Sequence, residues 1–239
     1  MPRPSRAARA PQLPAFAIDR TLRAPEQVYR GLREAIVSLA IAPGTALSEG
    51  DVAEACSISR TPVREAFARL SEEQLLDVFP NLGTFVSLID PQAIAEAITI
   101  RRLLEGEAAA RAAAKADPEL LREMSEILAR HAQAVAAGDA ARAYACDEAF
   151  HHALFAMQKL SQMWQSVSRA RTHLQRVHHL RISERGALGD ALEQHRLVLA
   201  GIEAGTPEAA RTAMTAHIDA HGRFLSRIAD RKHPYIRAE

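Results

Sequence analysis

Apolar positions along the chain change their period twice. Val28, Leu32, Ile36 and Leu39 recur at helical spacing behind Pro25, a residue suited to a first helical turn, and the segment stops at Ala42-Pro43-Gly44-Thr45. Ser48-Glu49-Gly50-Asp51 fits a capping box and predicts a short second helix that ends near Cys56. After a turn at Ser57-Ile58, Ser59 is placed to cap a third helix, with Pro62 in its first turn and Val63, Ala66, Phe67 and Leu70 as its apolar stripe. Beyond Gln74 the period shortens to that of strands: Leu75 to Phe79, a turn at Pro80-Asn81-Leu82-Gly83, then Thr84 to Leu88, which reads as a hairpin. From Asp90-Pro91 onward the pattern is helical again. Segments near 91–115, 118–137, 139–157, 161–184, 190–204 and 207–231 predict about six helices, with starts marked by Asp90-Pro91, Asp117-Pro118, Thr206-Pro207 and Asp139.

Composition agrees with a mostly α fold. The 239 residues include 48 alanines but only 11 glycines, and aromatics are 5%, a mixture that favours packed helices and argues against an all-β fold. The length suits one large domain or two modest ones. The divisions expected are a flexible basic tail over residues 1–20, which hold four prolines and four arginines, a small helix-and-hairpin domain over 21–88, and a helical domain over 91–231. Cys56 and Cys146 lie far apart with no C-x-x-C pair, so neither a disulfide framework nor a thiolate zinc site is indicated, and a reducing compartment is expected. The N-terminus has no apolar signal-type region and no segment reaches membrane-spanning length, so no membrane association and a cytoplasmic location are expected.

Overall charge is uninformative, with 30 Lys+Arg against 29 Asp+Glu, and residues 21–88 carry six arginines against nine acids. The placement of the arginines says more. A third helix that presents Arg60, Thr61 and Arg64 away from its apolar stripe has the chemistry for a DNA major groove, since arginine forks onto a guanine edge and a hydroxyl at a helix N-terminus suits phosphate. The hairpin behind it would be a wing. The stretch PGTALSEGDVAEACSISRTPVREAFARLSEEQLL, followed by PNLGTFV, resembles the winged helix-turn-helix of GntR-family transcriptional regulators, most specifically over Ser59-Arg60-Thr61-Pro62-Val63-Arg64-Glu65-Ala66. The resemblance implies that Ser59, Arg60, Thr61 and Arg64 contact double-stranded operator DNA and that Gly83 shapes the wing tip. Ala46, Gly50 and Leu82 stand where family members often place a basic or polar residue, and Gln74 replaces a common glycine.

All ten histidines lie between His131 and His233. Asp147 and His151 are four apart on one predicted helix, so one face could offer both to a single metal ion. His195 and His217 fall beside the apolar stripes of two other helices, where a hydrogen-bonded core role competes with a ligand role. The C-terminal region resembles the helical ligand-binding domain, called FCD, of the FadR branch of the GntR family. The resemblance rests on Arg101-x-x-Leu104-Glu105, Asp147-x-x-x-His151, Gln194-His195 and Met214-x-x-His217. It implies that Asp147, His151, His195 and His217 bind a divalent metal, with zinc first and nickel, iron or manganese as alternatives, leaving positions free for an effector carboxylate. Arg101 matches a family arginine near the pocket, for which pairing with that effector and a structural salt bridge are both open. His221 is a spare ligand, and Arg169, Arg171 and Arg176 are further pocket candidates. The function expected is a homodimeric, metabolite-responsive repressor on a palindromic operator. The competing class is a metal-dependent enzyme built on the same Asp/His cluster, although no H-E-x-x-H, G-x-S-x-G or P-loop is present.

Overall fold

Three of the four residues of the predicted apolar edge of the first helix are buried: Val28, Leu32 and Ile36 of α1 (Ala24–Val37) sit in a core with Val52 of α2 (Glu49–Ala55), and with Val63, Phe67 and Leu70 of α3 (Arg60–Glu72), while Leu39 lies past the helix end, half-buried at φ 63°. These elements come from a computed structural model that describes residues 18–19, 21–182, 187–230 and 233–238. The expected basic tail lies outside the described residues except for Ile18 and Asp19, and so does the side chain of His221. The chain divides into two units, Met1–Asp90 with Lys232–Glu239, and Pro91–Arg231.

In the first unit, the Ser48 hydroxyl accepts from the Gly50 and Asp51 amides and starts α2. Ser59 occupies the equivalent position before α3, yet its hydroxyl makes no capping bond, in contrast to the expected cap. It is left exposed. Across the surface of α1 and α3, Glu26 accepts from Arg30 and Arg69 at 2.7 Å each, and the Arg69 guanidinium lies 3.7 Å from the Tyr29 ring centre. Glu73 accepts from Arg33 at 3.0 Å and from the Tyr29 hydroxyl. Each exposed pair is worth about 0.2–1 kcal/mol, so the set aligns the two helices more than it stabilises them.

Gln74, which follows α3, takes φ of 57°, and this left-handed residue turns the chain so that the Leu75 amide donates back to the Leu70 carbonyl at 2.9 Å. A residue with a β-carbon pays about 1–2 kcal/mol for that conformation, a cost that a glycine at this position would avoid. The hairpin follows as β2 (Leu76–Phe79) and β3 (Gly83–Val86), paired antiparallel from Leu76↔Val86 to Phe79↔Gly83. A two-residue strand, β1 (Ala46–Leu47), pairs with β3 and gives the order β1-β3-β2. Sequence reading missed it because two residues show no period.

The second unit consists, among the described residues, of α4 (Pro91–Lys115), α5 (Pro118–Ala136), α6 (Ala140–Ala156), α7 (Ser161–Ile182), α8 (Ala187–Glu203) and α9 (Pro207–Asp230). Asp117 and Asp139 cap α5 and α6 by accepting from the amides of Glu119 and Arg142. α4 lies along α9, α8 along α9 and α5 along α6. Their core is built on small residues: Ala108, Ala109, Ala112 and Ala113 of α4 and Ala210 of α9 are buried with Met124, Phe150, Phe155, Val198 and Met214. The abundance of alanine thus sets how closely the helices approach.

Helices α8 and α9 approach closely at Gly201. A β-carbon there would lie 2.8 Å from the Ala210 backbone nitrogen and 2.9 Å from its α-carbon, and backbone cannot swing aside as a side-chain end can. Gly201→Ala is therefore expected to force α8 and α9 apart and destabilise this unit by about 1–3 kcal/mol despite the better helix propensity of alanine. Denaturant unfolding measures it, and an unchanged or increased stability would contradict the packing.

Candidate metal centre

Three helices bring four side chains to one buried point. Asp147 and His151 are one turn apart on α6, His195 comes from α8 and His217 from α9, and a ligand atom from each lies within 4.8 Å of the others. His151 Nε2 is 3.1 Å from His217 Nε2, and His195 Nε2 is 3.3 Å from the same atom. Asp147 Oδ1 is 3.5 Å from His195 Nε2 and 4.0 Å from His151 Nε2.

The partners behind the rings fix which nitrogen faces inward. His151 Nδ1–H donates to Glu105 of α4, and His217 Nδ1–H donates to the Gln194 side-chain carbonyl at 2.9 Å. Both partners only accept, so Nδ1 carries the proton and each ring, when neutral, turns the lone pair of Nε2 to the centre. Two lone pairs 3.1 Å apart repel unless a cation or proton lies between them. The separations also suit a metal: with metal–nitrogen bonds of about 2.1 Å, neighbouring ligand atoms are about 3.0 Å apart in octahedral and about 3.4 Å apart in tetrahedral coordination. His195 is stacked on Phe150, ring centres 4.2 Å apart, and its Nδ1 is buried without a hydrogen-bond partner. The donor set therefore fits a divalent ion with nitrogen and oxygen preference.

Burial would push both acids toward protonation. Instead the Arg101 guanidinium and His151 beside Glu105 outweigh burial and hold its carboxyl well below the ordinary range. Burial likewise opposes ionisation of Asp147, yet its carboxyl lies well below the ordinary range, with the Arg171 guanidinium beside it. Burial lowers His195 well below the usual imidazole value, against the pull of Asp147, and keeps its lone pair available.

The arginine matched to the pocket is already engaged. Arg101 is buried, donates from Nε to Glu105 at 2.5 Å, and places Nη2 3.4 Å from His151 Nε2. Of the other three candidates, Arg169 is exposed and Arg171 and Arg176 are buried. Arg171 donates from Nη2 to Asp147 Oδ2 at 3.1 Å and to Glu148, while its Nε and Nη1, both buried, have no hydrogen-bond partner. One turn further along α7, Gln175 Oε1 is also buried without a partner. Arg101, Tyr144, Asp147, Arg171, Gln175 and His178 line a cavity of about 10 Å³ at the Asp147 side of the cluster. Sequence reading assigned no role to Glu105 or Gln194. Their signals were present as the i, i+4 spacing to Arg101 and the adjacency to His195.

In the other unit, Ser59, Arg60, Thr61 and Arg64 are all exposed on the N-terminal turns of α3, and Gly83 is exposed at the end of the hairpin turn with φ of 115°. Arg64 pairs with Glu49 at 3.2 Å, and a β-carbon at Gly50 would come within 3.3 Å of Arg60 Nη2. Gly50 thus leaves room for that guanidinium.

Residues 24–86 match the bacterial regulatory proteins of the gntR family, and residues 96–220 match the FCD domain. The chain belongs to the GntR family of transcriptional regulators, with an FCD domain as its helical unit. It is 35% identical over 201 residues to an uncharacterized HTH-type regulator in an unstable DNA locus of Streptomyces ambofaciens, covering 84% of each chain. It is 28% identical to the transcriptional repressor RspR of Escherichia coli strain K12, covering 81% of this chain and 85% of that one. A GntR regulator from Rhodococcus sp. RHA1 superposes with a TM-score of 0.70 at 28% identity, over 84% of this chain and 97% of that structure. Regulators of this family bind DNA through the matched helix-turn-helix unit. The relatives are regulators and not enzymes, which removes the metal-dependent enzyme from consideration. No helix among the described residues is long and apolar enough to cross a membrane.

The partners behind the rings generate a prediction. Gln194→Leu is expected to lower zinc affinity by about 10–100-fold, since His217 loses the acceptor that holds its ring, while circular dichroism stays unchanged. Calorimetric titration of metal-stripped protein measures it, and an unaltered affinity would show that the ring needs no such support. Glu105→Ala, by contrast, leaves Arg101 buried without its carboxylate and is expected to destabilise the unit by about 3–5 kcal/mol in denaturant unfolding.

Proposed function

We propose that this GntR-family regulator is a cytoplasmic repressor that binds a palindromic operator as a homodimer, reading DNA with residues 21–88 and sensing a small organic acid with residues 91–231. Ser59, Arg60, Thr61 and Arg64 would enter the major groove from the start of α3, with Gly83 giving the wing tip its turn. Arg64 would exchange Glu49 for a guanine edge or a phosphate. A dimer follows from the two-fold symmetry such operators share with the proteins that read them.

Asp147, His151, His195 and His217 would hold the metal, zinc first among zinc, nickel, iron and manganese. A metal there supplies a Lewis acid to which a carboxylate oxygen can bind. The single observation that carries the effector reading is the pair of buried Arg171 N–H groups with no acceptor, beside the proposed ligand Asp147. An unsatisfied charged donor costs more than about 1–3 kcal/mol, and an anionic oxygen would relieve it. Arg101 lines the same cavity and would contribute a second positive charge.

That cavity, about 10 Å³, has room for one water at most. A metabolite must therefore displace side chains of α6 and α7 to enter, and the work of that displacement is where ligand binding and a change of state become coupled. Repression relieved by the effector is the sense proposed, in line with the repressor name that RspR carries.

Two measurements test the reading. Gel shifts with promoter and random-sequence duplexes across salt concentrations should show preference for the promoter, and Arg64→Ala should lose about 1–3 kcal/mol of that preference. Equal binding of both duplexes by both proteins would overturn the operator. Calorimetry of zinc-loaded protein with a panel of carboxylates should give heat that Arg171→Leu abolishes, and heat from neutral ligands alone would overturn the organic acid.

A further inference from the structure

The last described residues do not belong to the bundle they follow in sequence. The described residues 233–238 group with the DNA-reading unit. The Ile89 amide donates to the Tyr235 carbonyl and the Arg237 amide donates to the Ile89 carbonyl, both at 2.8 Å, which makes a parallel bridge between Ile89 and Ile236. The Ile236 side chain is buried, and the turn before it is closed by the Ile236 amide on the His233 carbonyl at 3.0 Å and by the Tyr235 amide on His233 Nδ1 at 3.2 Å. This is a seated segment with its own backbone pairing.

Its one described cation is placed on two acids. Arg237 donates to Asp90 at 2.7 Å and lies 3.6 Å from Asp77, which sits on β2 three residues before the hairpin turn begins at Pro80. The Arg237 side chain is 36% exposed, so these pairs add little to stability. Their electrostatic consequence is larger, because the unit that must meet a polyanion carries nine acids against six arginines over residues 21–88 and gains another acid at Asp90. An uncompensated carboxylate at the root of the wing repels phosphate, and the repulsion acts over about 10 Å at 0.1 M salt.

We propose that Arg237 is a positioning residue for DNA binding: residues 233–237 form a strap on the DNA-reading unit whose guanidinium neutralises Asp77 and Asp90 and lets the wing approach the phosphate backbone. The bridge to Ile89 sets where the cation stands. The cation acts through the two acids and need not touch DNA.

The test uses the full-length protein and a mixed-sequence duplex of about 30 base pairs, with affinity measured by fluorescence anisotropy from about 50 to 200 mM salt. Arg237→Ala is expected to weaken binding about tenfold at the lowest salt, with the gap closing as salt rises, and Arg237→Lys to remain within about twofold of the native protein. The deciding variant combines Arg237→Ala with Asp77→Asn and Asp90→Asn. It lacks the ion pairs as well as the acids, and it is expected to bind as the native protein does. A triple variant as weak as Arg237→Ala would mean that the strap serves packing alone and would overturn the proposal, as would an Arg237→Ala protein of native affinity. Should Arg237→Ala fail to fold, Asp77→Asn with Asp90→Asn in the otherwise native chain decides the same question: native or tighter affinity supports neutralisation, and a loss overturns it. A native protein with no affinity for any duplex overturns the DNA-binding reading itself, an outcome distinct from any difference between variants.

Discussion

Glu105 and Asp147 lie inside an alanine-rich helical bundle, where a lone carboxylate would take up a proton. Each carboxyl is held well below its ordinary range by neighbours on its own helix and on others: Arg101 of α4 and the His151 N–H of α6 at Glu105, and the Arg171 guanidinium of α7 at Asp147, where His195 of α8 also stands. The need to compensate these two charges ties α4, α6, α7 and α8 to one centre, and His217 adds α9 through the shared nitrogen contacts. Removing one member leaves another exposed to the low dielectric of the interior, so the cluster persists or fails as a set. Such an arrangement is a poor means of stabilising a fold. Its use is to hold three imidazole lone pairs and a carboxylate in fixed directions.

Much of the architecture was legible because long amphipathic segments and their stops are local signals. The Asp-Pro and Thr-Pro pairs marked α4, α5 and α9 to within a residue or two of where those helices begin. The four cluster residues were legible as a set only through resemblance, since nothing in the spacing of His195 and His217 says that their rings meet. Roles that depend on the direction of a neighbour's side chain were not legible at all. Glu105 could as well have been a surface partner of Arg101, and only the packing of α4 against α6 turns it onto His151. Ser59 shows the reverse case: its position before α3 signals a cap, yet the hydroxyl is left exposed at the face that carries Arg60, Thr61 and Arg64. The strand β1 and the pairing of Ile236 escaped because an edge contact of one or two residues leaves no period.

The two units handle charge in opposite ways. In the bundle, charges are buried, paired and held at a single point, so a change there is felt by several helices together. In the DNA-reading unit they lie at the surface and are paired one by one: Arg64 rests on Glu49, Arg69 on Glu26 and Arg237 on Asp90. For Arg64, proposed to enter the major groove, an exchangeable partner suits a side chain that must leave it for a nucleic acid, whereas Arg237 is proposed to stay on its acids.

The bridge between Ile89 and Ile236 also bears on how the protein is made. The helical bundle is in effect an insertion between two segments of the DNA-reading unit, and the contact of Arg237 with Asp90 spans 147 positions of sequence. Closing so distant a contact is slow for a free chain, but folding of the intervening bundle can shorten the effective loop. During synthesis, the unit whose helices leave the ribosome first is the last to be finished. Its final edge cannot form until the bundle and the residues beyond it have emerged.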